Sequence, residues 1–490
     1  MDIHSYKDTK YCRHKRMRKH VLSYKFDDRQ ILSELEDNII VQKFREKILS
    51  ANTSFHEGFI ESYFHTIDNI NSFFDYLYDT EYDFLHLLPD IFNSDFLVSL
   101  IDAITSNSDN FDLIEQNLYV IAALSNSPDY VQFYRNSPLF SIVYNLLSTK
   151  HQFASVCLDI IKQYLVIFST TKFPYNLKDF MILLKELYSI YQDDIESIGE
   201  TVRLLVQYFD VTSALYNIYD LFQTIVKISK SNQILSNVFE SLVILHFCDY
   251  SYKNAFDSGI MQIYIQERLE FFIYFEKKYA QSIYQFFNFI FESFKTIDEP
   301  SQKRTLAIFD FYKHDIETNV SSGLYLILLD VEDIQIKCLL YNIITLYIGK
   351  MEFESQNNMY LFSAIINNDF ITEILKDFDD LPFELKKQTI FFIRKLLKSQ
   401  NQELFRQLVD YGFNYVEICA DFVNQSNDIL IQKVYLESII ELLKISQKIN
   451  SNHSFITDEV CEGFIDPLTS SEDQHLSELA IEVFNLITYE

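Results

Sequence analysis

The sequence predicts an all-α protein, a right-handed α-solenoid of about nine to ten stacked units, and three observations carry that prediction. The first is an apolar helical segment that returns along the chain. Aligned on one leucine-like position, its copies fall at Leu124, Leu165, Leu205, Leu245, Phe291, Leu346, Leu396, Leu442 and Leu486, with gaps of 41, 40, 40, 46, 55, 50, 46 and 44. The second is the scarcity of turn residues, 7 Gly and 7 Pro in 490, against ordinary usage of about 7% and 5%. A β-sandwich or a dinucleotide-binding fold needs more of both. The third is a hydrophobic content of 48% without any single long apolar run, which suits a large core rather than a membrane span.

The period matches armadillo and HEAT units, at about 40–47 residues. One such unit cannot bury its apolar face alone, so neighbours must stack into a continuous core. The units are therefore read as armadillo-like. Residues 1–26 lack helical apolar spacing and form a basic N-terminal arm. Residues 27–80 are read as N-terminal capping helices. Ile31, Leu32, Leu35, Ile39, Ile40, Phe44 and Ile48 follow amphipathic spacing there, with Asp27 or Asp28 as N-cap. Residues 81–490 form the array, read as one elongated domain because no linker rich in Pro, Gly or Ser divides it. Its clearest units span 111–168 and 382–490, where helices alternate with Ser/Asn/Pro loops and Pro128 and Pro138 sit in loops or first turns. Gly259, Gly323, Gly412 and Gly463 each precede an apolar helix, where a tight turn with positive φ calls for glycine. The 55-residue gap before Leu346 marks an irregular unit.

Nothing in the chain suggests chemistry. Cys12, Cys157, Cys248, Cys338, Cys419 and Cys461 show no metal-ligand spacing and read as isolated small core residues of a reducing compartment. No zinc-protease, nucleophile-elbow or phosphate-loop motif is present. The pairs Asp193–Asp194 and Asp379–Asp380 read as solvated turns. No catalytic residue, metal or cofactor is expected. The opening residues lack the apolar stretch of a signal peptide, so the expected location is inside the cell.

Charge is unevenly placed. The chain carries 41 basic and 70 acidic residues, net −29. Residues 1–30 hold 9 basic and 4 acidic side chains, leaving 32 and 66 in 31–490, so an arm of +5 precedes a body of −34. Such a body repels nucleic acid and membranes and favours basic protein partners.

The stretch "FELKKQTIFFIRKLLKSQNQELFRQLVDYGF" at 383–413 resembles a segment of importin-α (karyopherin-α), the armadillo adaptor of nuclear protein import. Phe383, Lys387, Ile393, Glu403, Leu408, Val409 and Gly412 fall in register with that family's F-x-x-x-K-E-A-x-W-A-I-x-N and following E-Q-I-x-x-L-V-x-x-G pattern. Residues 459–490 are similar to its closing repeat, and 115–164 to two of its consecutive W-A-L-x-N repeats. A basic arm ahead of an acidic array is also the family's layout.

The resemblance implies a cargo groove lined by a ladder of Trp and Asn, one turn apart on successive inner helices. The gapless register puts Leu118 and Ala122, Ile160 and Tyr164, Arg203 and Gln207, and Phe391 and Lys395 at those positions. The chain has no Trp, so only Gln207 keeps an amide and only Phe391 a ring. The arm cluster Arg13, Lys15, Arg16, Arg18 and Lys19 resembles the family's importin-β-binding and autoinhibitory segment. The implied partners are an importin-β-like receptor and basic cargo segments, in cytoplasm and nucleus, with no nucleic acid and no membrane. The residues leave three readings open: a diverged import adaptor, a general armadillo scaffold or regulatory subunit with no import role, and an enzyme or an enzyme's regulatory subunit, for which no constellation of nucleophile, base and oxyanion donor is visible.

Overall fold

The computed structural model describes residues 34–79, 94–125, 137–167, 173–247, 257–296, 302, 327–328, 330–350, 370–376, 378–409, 414–449 and 455–488. Among them every regular element is helical, as the sequence predicts. The arm residues Arg13, Lys15, Arg16, Arg18 and Lys19, the caps Asp27 and Asp28, and Gly323 and Gly412 lie outside the described residues. The chain divides into two compact units, 1–217 and 218–490. The division falls within a helix whose composition gives no sign of it.

The first unit begins with α1 (Glu34–His56) and α2 (Ile60–Asp79). They form an antiparallel pair turned at Gly58, whose φ of 77° is open to glycine without penalty. Then follow α3 (Ser94–Ser106), α4 (Phe111–Leu124), α5 (Leu139–Thr149), α6 (Ala154–Ile167), α7 (Leu177–Tyr191) and α8 (Ser197–Tyr208). Helix α9 (Leu215–Ile228) spans the division. Within this unit α2 packs on α4, α4 on α6, and α6 on α8. Buried amides tie the first of these contacts. The Tyr63 hydroxyl donates to Asn117 Oδ1, and Asn71 Nδ2 donates to Gln116 Oε1 at 2.6 Å and to its carbonyl at 3.0 Å.

The second unit holds α10 (Asn232–Phe247), α11 (Ile260–Ile263), a π-turn at Tyr264–Leu269, α12 (Glu270–Tyr274), α13 (Glu276–Thr296), α14 (Ile334–Lys350) and α15 (Phe370–Lys376). It continues with α16 (Phe383–Leu397), α17 (Gln402–Val409), α18 (Tyr415–Ser426) and α19 (Ile429–Ile449). The last elements are α20 (Asp458–Val460), a π-turn at Cys461–Ile465, α21 (Asp466–Leu468) and α22 (Gln474–Thr488). The long helices α10, α13, α14, α16, α19 and α22 pack each on the next.

Every position of the recurring apolar series lies on one of these long helices, from Leu124 on α4 to Leu486 on α22. Leu124, Leu165, Leu205, Leu245, Leu396 and Leu442 are buried. Phe291, Leu346 and Leu486 are only half-buried, so the series drifts off the core side where its spacing is longest and at its last member.

Short polar side chains start many helices by accepting the first free backbone N–H groups. Asn110 caps α4, Asn176 α7, Asn401 α17 and Asn414 α18; Asp333 caps α14, Asp428 α19 and Asp473 α22. Pro138 sits at the N-cap of α5. Gly259 takes a φ of 74° just before α11, as its position predicts. Gly463 departs from that prediction. It lies inside the π-turn with a helical backbone, and a Cβ there would meet nothing within 4 Å. Asp193–Asp194 and Asp379–Asp380 fall in short 3-10 turns. No described helix is long and apolar enough to cross a membrane.

Candidate protein-binding face of the long helices

A helix packed between two neighbours and a third element keeps only a narrow stripe for solvent, at spacing i, i+3 or i+4, i+7. On α4 that stripe is Glu115, Tyr119 and Ala122; on α6 it is Asp159, Gln163 and Val166; on α8 it is Glu200, Arg203 and Gln207. In the second unit it is Lys387, Phe391, Arg394 and Lys398 on α16, and Lys433, Glu437, Glu441 and Lys444 on α19.

These stripes correct part of the ladder expected from the sequence. Leu118, Ile160 and Tyr164 are 0%, 0% and 2% exposed and belong to the core. No ligand reaches them without unpacking the stack. On α6 the register is one residue out, about 100° of helix rotation, which carries Ile160 and Tyr164 from the outer stripe into the interface. On α6 the accessible neighbours are Asp159 and Gln163; on α4 Tyr119 takes the place expected of Leu118, while Ala122 stays half-buried on the open side. Burial also pushes the Tyr164 hydroxyl far above the ordinary phenol range. Arg203 and Gln207 both lie on the open stripe of α8, joined by an Arg203 Nη1 to Gln207 Oε1 bond of 3.1 Å. Phe391 and Lys395 are half-buried on α16, and the Lys387 ammonium stands 5.8 Å from the Phe391 ring centre.

Sequence reasoning missed the main electrostatic feature, a set of polar ties between successive long helices. In the first unit Lys162 of α6 is 8% exposed. Its ammonium lies 3.3 Å from Asp159 and 2.9 Å from Glu200 of α8. Burial works against the charged ammonium there, but the two carboxylates outweigh it and raise its pKa. Ser197 at the start of α8 donates to Asp159.

In the second unit Lys387 of α16 meets Asp428 of α19 at 3.1 Å, and Arg394 meets Glu437 at 2.9 Å. Lys433 of α19 meets Asp473 of α22 at 2.8 Å, and Lys444 meets Glu482 at 3.4 Å. In every one of these pairs the cation sits on the earlier helix and the carboxylate on the later one. Asp428 and Asp473 serve twice, since each also caps its own helix. Partial burial works against the Asp428 carboxylate, but the bonds from Lys387 and from the Ile431 and Leu430 N–H groups hold its pKa below the ordinary value. Lys433 and the Leu476 N–H do the same for Asp473. The hydrogen-bonded pairs are 38 to 43 residues apart, one repeat of the apolar series. Gln285 of α13 likewise bonds Glu240 of α10 at 3.2 Å, and Glu276 of α13 accepts the Glu332 and Asp333 N–H groups ahead of α14 at 2.7 Å each.

Among the described residues no group of three or more His, Cys, Asp or Glu is placed to hold a metal ion. Cys157 and Cys419 are buried free thiols, with burial pushing both well above the ordinary range; Cys338 and Cys461 are free and half-exposed.

No family model and no curated protein matches the chain. Among solved structures, the chain is similar to a crystal structure of an engineered protein, at 12% identity over 97% of this chain and 98% of that one, with a TM-score of 0.53. A structure from work on a phosphorylation switch that controls the interaction between cadherin and β-catenin matches at 9% identity over 97% and 95% of the two chains, with a TM-score of 0.46. The first likeness is one of fold alone.

Proposed function

We propose that this chain is a protein-binding scaffold, a right-handed armadillo-like solenoid that receives extended segments of partner proteins along the open stripes of its long helices. One observation carries the reading: the stripes repeat from helix to helix, and their charges are held in fixed places by ties between neighbours. Preformed polar groups at a regular interval are what an extended peptide needs, because ordering them costs nothing further on binding. The acidic excess of 66 carboxylates over 32 cations in 31–490 selects basic segments.

A narrower reading is the nuclear import adaptor, with basic cargo on the stripes and an importin-β-like receptor at Arg13, Lys15, Arg16, Arg18 and Lys19. The match at 383–413 supports it. Burial of Leu118, Ile160 and Tyr164 removes three of the side-chain positions through which the family grips its signal, so cargo contact in the first unit falls to Tyr119, Asp159, Gln163, Arg203 and Gln207.

The test is a titration of the purified chain with a labelled Lys/Arg-rich peptide, with a neutral peptide of equal length as control. The expected result is saturable, salt-sensitive binding of the basic peptide alone. Failure of every basic peptide, with and without residues 1–25, overturns the basic-segment reading. Importin-β capture that is lost with residues 1–25 selects the adaptor; capture by neither form removes it.

A further inference from the structure

An open groove of about 750 Å³ lies at the C-terminal ends of α16 and α19, lined by Lys398, Gln400, Glu441, Lys444, Gln447 and Lys448. Its polarity is opposite to that of the chain. Residues 386–398 carry Lys386, Lys387, Arg394, Lys395 and Lys398 and no acidic residue, in a protein of 70 acidic and 41 basic side chains. Cations in a last helical turn are ordinary, since they complement the helix dipole. The arrangement here goes further. Lys387 and Arg394 are committed to Asp428 and Glu437. Lys395 and Lys398 form no ion pair with a described residue, and partial burial together with Lys398 and Arg394 lowers the Lys395 pKa. Burial and these neighbouring cations outweigh the one carboxylate acting on Lys395, that of Glu437, which is itself bound to Arg394.

The one carboxylate on the groove wall is already engaged. Gln400 holds a left-handed backbone with φ of 53°, and its side chain bridges the wall: Nε2 donates to Glu441, and Oε1 accepts from Lys448 at 2.8 Å. Lys444 lies 3.8 Å from Glu441 and 3.4 Å from Glu482. The Lys398 and Lys448 ammonium groups therefore face the opening with no carboxylate bound to either.

We propose that this groove is a docking site for a short acidic segment of a partner protein, whose carboxylates complete the charge of Lys398 and Lys448 while Gln447 donates from its amide. A peptide fits better than a nucleic acid. The net charge of −29 repels a polyanion at long range, whereas a few carboxylates feel the local cations within a Debye length of about 8–10 Å. The groove shares Lys398, Glu441 and Lys444 with the stripes of α16 and α19, at the one end where cations prevail, and the two tests use peptides of opposite charge, so either can fail alone.

The experiment is fluorescence anisotropy at low salt with a short labelled Glu-rich peptide, with a Ser-rich peptide and a single-stranded oligonucleotide as comparators. Lys398→Glu/Lys448→Glu and the milder Lys398→Gln/Lys448→Gln are compared with Lys178→Glu, an exposed lysine of α7. Circular dichroism verifies that helix content is kept. The expected outcome is saturable binding of the Glu-rich peptide, weakened about tenfold or more by the double reversal, less by the double Gln, and unchanged by Lys178→Glu. The proposal is overturned by absence of saturable binding, by equal affinity of the double reversal and the unaltered chain, or by tighter binding of the oligonucleotide than of the peptide.

Discussion

The Lys162 ammonium stands 2.9 Å from Glu200 Oε2 and 3.3 Å from Asp159, so one nearly buried cation on α6 holds apart two carboxylates that would otherwise face each other across the α6–α8 contact.

Lys162→Ala is expected to destabilise the first unit by about 2 kcal/mol, less than a fully buried pair costs, because both carboxylates keep some water. Adding Glu200→Gln is expected to restore part of that loss, since it removes one side of the new repulsion. Urea unfolding of the single and double variants measures the coupling. Equal midpoints for Lys162→Ala and the unaltered chain would show the triad to contribute nothing. The raised lysine pKa means that its contribution is full below the ordinary lysine value and disappears as pH rises through the folded one.

The acid side is set by the doubled roles of Asp428 and Asp473, whose folded pKa values are both depressed. Their stabilisation is present above the ordinary carboxylate value of about 3.9 and is lost as pH falls through the depressed folded values. Asp428→Ala is expected to cost about 1 kcal/mol through the lost cap of α19. Asp428→Asn keeps the cap and loses only a partly solvated ion pair, a few tenths of that. Thermal melts at neutral pH and near pH 3 test both. The Ala variant melts below the Asn variant at neutral pH, and the gap between Asn and the unaltered chain narrows as the pH falls below the ordinary carboxylate value. A gap of constant size down to acid pH assigns the effect to packing instead.

Two glycines are expected to respond in opposite directions. Gly259→Ala places a side chain at φ of 74° and costs about 1 kcal/mol or more. Gly463→Ala meets open space on a helical backbone and stabilises by about 0.5 kcal/mol or more. Guanidinium midpoints decide. Matching signs for the two changes would refute the backbone assignment.

The helical class and the stacking series were legible because burial repeats with the helix: an apolar run at period 3.6 marks a helix whatever its neighbours are. Leu124 to Leu442 could be followed from repeat to repeat for that reason. The rotational phase was less secure. Leu118 and Tyr119 are equally compatible with an apolar turn, and only the packing of α4 against α2 and α6 decides which of them meets solvent. The 55-residue gap before Leu346 falls largely outside the described residues, and the drift of Phe291 off the core side was not visible in the sequence. The ties between helices could not be read from the chain at all. Lys387 and Asp428 are ordinary surface residues in sequence, and they meet only because loop length and helix rotation bring them together across 41 positions. The capping half of Asp428's role was legible, as an Asp just ahead of an apolar run. Gly463 shows the converse, since the same local pattern served a π-turn rather than a bend.

The one-way order of cation and carboxylate bears on how such an array can grow by gene duplication. Helix α19 brings its own acid cap, Asp428, and its own cation, Lys433. A second copy spliced in after the first would present Asp428 to the preceding Lys433, so the insertion reads on without a charge mismatch. Helix α22 contains no Lys or Arg. A duplicate of it would set carboxylates against carboxylates, and the same genetic event would carry an electrostatic penalty. On this count α19 is copyable and α22 is not, a grammar written in the direction of a few ion pairs.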